Sequence, residues 1–446
     1  MLKSTFNYTP PAALAGSARD YRHPLGAHLE ARIEGFSKWQ NLRRQHGLWS
    51  YSRSMEQAPS PMAAGRDDAG GHFRGVNFAT ADYLNLASHP KIKAAACEAV
   101  EQYGVHSGSS AAHFGASAAS VRLERTIADF LLTPEALLFP SGWAAAYGTI
   151  KALVRADDHV LVDAQAQPAL LEGAAAATRN VYLFRHNTVE ECRRWLEKIR
   201  AGDGKNGVMV ATETRFSADA ETCDLAAMQS LCHEYNATLL VDVSHDLGAH
   251  GEDGKGLLAA QHMLGNIDLA VGSFAKTFAS NGGFVACRNR ELKEYLRFYA
   301  STCAGSSALS PLQVAVVAKA FEIVASSEGQ TRRKRLAKNV EALRGRLTAE
   351  GLEPLGQPGG LVCVKAGAEG LARLIARALP EAGLIADLAE FPAAPKDQAR
   401  FRLHVSAGHT DDNVLDAARA LATAFAGAHE EFNWLSNERE KLRAHG

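Results

Sequence analysis

From Val76 onward, short apolar runs alternate with stretches of helical periodicity, and no other feature constrains the fold of this chain as strongly. The runs cover residues 136–139, 159–162, 208–211, 238–241, 269–271 and 283–286. They are too short for helices, and several are apolar on both faces, as strands are when helices cover both sides of a mainly parallel sheet. The fold class is therefore α/β. Past Leu312 the pattern changes to a long helical stretch ending near Glu350. It is followed by short strands at 360–364 and 400–405 with helices between and after them, which reads as a smaller α+β domain. Residues 1–75 read as an N-terminal arm, with a helix near 29–44 and a Pro, Gly and Asp-rich loop over 59–71. The expected division is thus an arm (1–75), a large domain (76–311) and a small C-terminal domain (312–446). The charged run 430–446 is expected to be a solvated helix.

Composition excludes several classes of function. Across 446 residues, 48 basic side chains stand against 49 acidic ones, so no overall field favours nucleic acid or an anionic membrane. Seven scattered cysteines without a C-x-x-C pair suit neither a disulfide framework nor a zinc site. They read as reduced thiols of a cytoplasmic protein, and no metal is expected. The start lacks the apolar stretch of a signal peptide, and no run of eighteen apolar residues exists to span a membrane.

Chemistry concentrates at the ends of the apolar runs. Asp242 closes the run 238–241, and in open α/β sheets ligands bind at the carboxyl ends of strands. A strand-end cap is its bland alternative. Lys276 follows about thirty residues later, and a lysine amine can hold an aldehyde cofactor as a Schiff base. An aspartate facing a pyridine nitrogen keeps that ring protonated, so the pair suggests an enzyme that uses pyridoxal 5'-phosphate (PLP). His245, three residues after Asp242, would supply a donor near the cofactor's phenolic oxygen. Ser141, Gly142 and Trp143 open an alanine-rich helical stretch whose free N–H groups suit a phosphate, although Ser-Gly is also ordinary turn chemistry. Ser273 adds a hydroxyl three residues before Lys276. Arg400 and Arg402 share one face of an alternating strand, as a carboxylate site would require and as surface strands also show.

With these residues in view, the chain resembles the α-oxoamine synthase family of fold-type I PLP enzymes over about 76–425. The resemblance rests on seven ordered motifs: Ala81-Asp82-Tyr83-Leu84-Asn85-Leu86-Ala87-Ser88-His89-Pro90, Phe139-Pro140-Ser141-Gly142-Trp143, Glu213-Thr214-Arg215-Phe216-Ser217, the segment 241–251, the segment 272–283, Ser306-Ser307-Ala308-Leu309-Ser310-Pro311, and the segment 402–410. Their wording is most similar to bacterial α-hydroxyketone autoinducer synthases. The resemblance implies a large domain with a mainly parallel seven-stranded sheet flanked by helices, and active sites shared across a homodimer. It implies Lys276 as the Schiff-base lysine and proton carrier, Asp242 at the pyridine nitrogen, and His245 and Ser217 around the phenolic oxygen. Ser141, Gly142, Trp143 and Ser273 would surround the phosphate and ring, Ser307 would reach the neighbouring subunit's phosphate, and Arg402 would hold the substrate carboxylate.

The implied reaction joins a small amino acid to an acyl thioester, from acyl-CoA or an acyl-carrier protein, with loss of CO₂, giving an α-aminoketone. The chain departs from the family where a histidine normally covers the PLP ring: Gln167 stands there, and it neither titrates nor stacks as an aromatic does. Two alternatives follow. One is another PLP reaction on the same fold, such as a non-decarboxylating condensation, a retro-aldol cleavage or a transamination. The other is a non-catalytic partner subunit, which the presence of Lys276, Asp242 and Arg402 opposes.

Overall fold

The computed structural model describes residues 9–444, with side chains through residue 437. The chain forms two compact units, one of residues 81–338 with 356–361, the other of residues 1–80, 339–355 and 362–446. The helix Pro311–Ala325 lies wholly in the first, so the divide expected at 311/312 falls later, inside the helix Ser327–Ala349.

The first unit is built on a seven-stranded sheet. Its order is Glu135–Phe139, Gly283–Cys287, Leu269–Ser273, Thr238–Asp242, Val208–Glu213, His159–Asp163 and Asn180–Phe184. Gly283–Cys287 runs antiparallel to both neighbours, and the five strands beyond it are mutually parallel. His159–Asp163 and Val208–Glu213 are buried at every position, as strands covered on both faces must be. The helix Gly142–Leu153 packs on the strands Leu269–Ser273 and Gly283–Cys287, its Ala144, Ala145 and Ala146 sharing a core with Val162, Val271 and Val285. The edge strand Asn180–Phe184 is the one the apolar runs do not announce; only Phe184 is buried, so its sequence carries little core signal. The helical stretch expected from 312 to 350 is two helices. Ser326, in extended backbone, separates them, and its hydroxyl accepts the Gly329 N–H at 3.4 Å.

The second unit holds two four-stranded sheets. Ser54–Met55, Met62–Arg66, His72–Asn77 and Leu384–Ile385 form one. The expected loop over 59–71 therefore contains a strand. Gly65 explains the misreading: a Cβ there would lie 2.2 Å from the Ser54 carbonyl oxygen, so glycine marks a close approach of strands and not a bend. The N-terminal segment is also tied down by charge. Arg43 and Arg373, both fully buried, share the Glu390 carboxylate at 3.1 and 2.7 Å, and Arg43 lies over the rings of Trp39 and Trp49. The last helix, Asp411–Ala444, is not simply solvated: Leu435 is buried and Glu431 pairs with Arg377 at 2.5 Å. No described helix is long and apolar enough to cross a membrane.

Candidate active site

Three adjacent parallel strands end in carboxylates: Asp163, Glu213 and Asp242. Asp242 is 3% exposed, and its Oδ1 accepts the Ser244 N–H at 2.7 Å while its Oδ2 accepts the Gln167 side-chain amide. Burial raises its pKa, opposed by the charge of Lys276 and by the bonds from Ser244 and Gln167. The Ser244 hydroxyl in turn accepts the Ser273 N–H at 2.9 Å, stitching the aspartate loop to the strand that leads to the lysine.

Lys276 sits in a closed loop between the antiparallel strands Leu269–Ser273 and Gly283–Cys287. Phe274 N–H bonds the Gly282 carbonyl and Ser280 N–H bonds the Phe274 carbonyl. Phe274, Thr277 and Phe278 are buried, while Lys276 is half-buried between them. The apolar anchors thus pin the loop, and both Asp242 and Glu213 feel the charge of Lys276.

The helix Gly142–Leu153 starts beside this loop. Ser141 is its N-cap, accepting the Ala144 N–H at 3.0 Å. A Cβ on Gly142 would lie 2.4 Å from that of Ser273, and one on Gly283 would lie 2.5 Å from the Gly142 Cα. Only glycine lets the helix N-terminus reach the strand ends, which brings Ser141 and Ser273 to one place. Trp143 is 44% exposed and stacks on Tyr147 with centroids 4.7 Å apart.

His245 Nδ1 is 2.8 Å from the hydroxyl of Tyr83, which is fully buried. Ser217 is half-buried in the turn after Val208–Glu213, and Ser307 is exposed in the loop before Pro311–Ala325. Arg402 belongs to the other unit, on the strand Ala399–His404. It lines a cavity of about 410 Å³ there, its Nη2 lies 3.7 Å from Asp387, and its Nε is buried without a hydrogen-bond partner. Its strand neighbour Arg400 is buried, its Nε donating to the Gln398 carbonyl at 3.2 Å.

Two residues of the site carry no role in the sequence reading. Tyr83 stands in a quoted motif, but its contact with His245 spans 162 positions and leaves no local sign. Glu213 likewise opens a motif; the signal for it was its place at the end of an apolar run beside the run that ends in Asp242. Beyond Glu213, His186 Nδ1 lies 2.8 Å from Asp163 and its Nε2 3.2 Å from Asp219. Burial opposes its charge, but these carboxylates overcome it and raise its pKa to about 10, so an imidazolium braces the strand end.

The arrangement offers an amine whose charge reaches a buried carboxylate and, where a glycine lets a helix N-terminus meet a strand end, the hydroxyls of Ser141 and Ser273, a donor set that fits PLP. The comparisons with known proteins agree with it. The aminotransferase class I and II profile matches residues 74–421.

The chain belongs to that family.

It is 32% identical over 343 residues to 8-amino-7-oxononanoate synthase of Thermoanaerobacter pseudethanolicus, covering 77% of this chain and 85% of the relative. It is 30% identical over 379 residues to 2-amino-3-ketobutyrate coenzyme A ligase of Escherichia coli, covering 85% and 93%. Both relatives are α-oxoamine synthases, the branch to which this chain belongs. Among solved structures, serine palmitoyltransferase from S. paucimobilis with a bound PLP-myriocin aldimine superposes with a TM-score of 0.84 at 25% identity, covering 90% of this chain and 99% of that one. The α/β architecture with its seven-stranded sheet is that of fold-type I PLP enzymes.

Proposed function

We propose that the chain is a PLP-dependent acyltransferase that condenses a small amino acid with an acyl thioester and releases CO₂, giving an α-aminoketone. The observation that carries this reading is Lys276, held in its hairpin loop within reach of the charge of buried Asp242. Family membership supports the same chemistry. PLP is the cofactor, supplying when bound an aldehyde that takes up the amino group and a protonated ring that draws electrons from the neighbouring carbon.

Lys276 would hold the aldehyde and Asp242 the ring nitrogen. His245 and Ser217 would hold the phenolic oxygen, Gln167 and Trp143 the ring, and Ser141, Gly142 and Ser273 the phosphate. With PLP bound, the Lys276 Nζ would be the group that takes the proton from the substrate's α-carbon. Arg402, whose buried Nε has no protein partner, is suited to the substrate carboxylate. His245 is oriented by Tyr83, which keeps one ring nitrogen engaged and aims the other. In the net reaction the α-carbon bonds to the acyl carbon, the thiol leaves carrying the α-proton, and the carboxyl group departs as CO₂ while a proton takes its place on the α-carbon.

The working form is a cytoplasmic homodimer in which Ser307 reaches the second copy's phosphate site; its exposure in the loop 305–310 is compatible with that role. The wording of the motifs favours a product of the α-hydroxyketone-precursor type. Incubation with Gly, Ala, Ser and 2-aminobutyrate against a panel of acyl-CoA donors tests the reading. Release of free thiol and CO₂ in equal amounts is expected; exchange of the α-proton without thioester consumption under any pairing would reject it.

A further inference from the structure

The three carboxylates at the strand ends are not equally provided for. Asp163, on one flank, has the His186 imidazolium at 2.8 Å and the N–H groups of Gln165 and Asn187 at 2.8 and 2.7 Å. Asp242, on the other flank, has the Ser244 N–H, the Gln167 amide and the charge of Lys276. Glu213, between them, is 1% exposed and accepts one hydrogen bond, from the Gln167 backbone N–H to Oε1 at 2.6 Å. It is the register partner of Asp242 on the neighbouring strand. Two buried carboxylates this close do not both ionise unless donors and cations compensate them, and a shared proton settles on the poorer-solvated one. Here that is Glu213.

We propose that Glu213 is a positioning residue of the cofactor site, a neutral acid that anchors the Gln167 backbone and leaves Asp242 as the negative charge available to the ring nitrogen. Gln167 is the N-cap of the helix Pro168–Ala177. Holding its N–H from the strand below fixes where its side chain begins, and that side chain then spans to Asp242 Oδ2. Glu213 thus acts on Asp242 twice: through Gln167, which donates to it, and by withholding a second negative charge. Burial first, and then the charge of Asp242, raise the Glu213 pKa well above the ordinary range; the Gln167 N–H and Lys276 oppose this, and Asp163 adds to it.

This rests on the PLP reading above, and two measurements separate the two. Titration of cofactor-free protein with PLP, followed by visible absorbance, compares wild type with Glu213→Gln and Glu213→Ala. Glutamine keeps a neutral acceptor for the Gln167 N–H, so its Kd is expected within about threefold of wild type, whereas alanine strands that N–H and weakens binding about tenfold or more. The second measurement is thermal unfolding of the cofactor-free proteins against pH. A folded chain that keeps this proton to higher pH than the unfolded chain is favoured at low pH and loses the advantage as pH rises from the ordinary glutamate value toward the folded one. Glutamine has no proton to lose, so Tm should shift in favour of Glu213→Gln as pH goes from about 5 to about 8. A Glu213→Gln protein that loses PLP as severely as Glu213→Ala, or Tm curves that stay parallel, overturns the proposal. If wild type takes up no PLP the functional reading fails, and the Tm comparison still decides where the proton resides. Should Glu213→Ala not fold, wild type and Glu213→Gln carry both readouts.

Discussion

The floor and the rim of the site follow different rules. On the floor, Asp242, Glu213 and Gln167 are tied by backbone and side-chain hydrogen bonds, and both carboxylates are buried at the carboxyl ends of neighbouring strands. At the rim, Trp143 and Ser307 are exposed, Trp143 at 44%. The floor is specified by the strands that carry it, since each carboxylate follows from where a strand ends. Little within the subunit covers the rim side chains, which accords with the proposal that a second copy completes it.

This contrast can be broken most sharply at Lys276. Lys276→Ala should lower thiol release by about 10²–10⁴-fold, the range of a lost general base, with the fold retained. Gly142→Ala is next. Its new Cβ would collide with Ser273, forcing the helix off the strand ends at a cost of about 1–3 kcal/mol and weakening PLP uptake; calorimetry and a PLP titration check the two effects. At the brace beyond Glu213, His186 has a folded pKa raised to about 10 from a usual 6.5. Its contribution is fully present below about pH 6.5 and is lost as pH rises through about 10, so the Tm advantage of wild type over His186→Gln should shrink across that window. Trp143→Ala, at the rim, should change the stability of the isolated subunit by no more than about 0.5 kcal/mol, measured by urea unfolding under dilute conditions. A large loss there would show that the rim is as integral to the subunit as the floor.

Legibility in the sequence follows the same divide. The buried strands announced themselves as apolar runs, and Asp242 was readable because it closes one of them. The edge strand Asn180–Phe184 left little trace because most of it is not buried. Met62–Arg66 was hidden by a glycine whose reason is a neighbouring carbonyl and not a turn. Lys276 was found by its distance from Asp242 in sequence, but the hairpin that presents it depends on Phe274 and Phe278 being buried, which is a tertiary fact. Gln167 was placed at the ring face by resemblance alone. Its bond to Asp242, across 75 positions, and its anchor on Glu213, across 46, are products of strand order that no local pattern encodes.

If Lys276 and Asp242 form a PLP-holding pair, the visible spectrum of the purified protein mixed with PLP reveals it. A yellow chromophore that survives desalting in wild type and is absent from Lys276→Ala is the predicted result. A wild-type protein that stays colourless after PLP addition, or a Lys276→Ala protein whose chromophore matches it, would contradict the account.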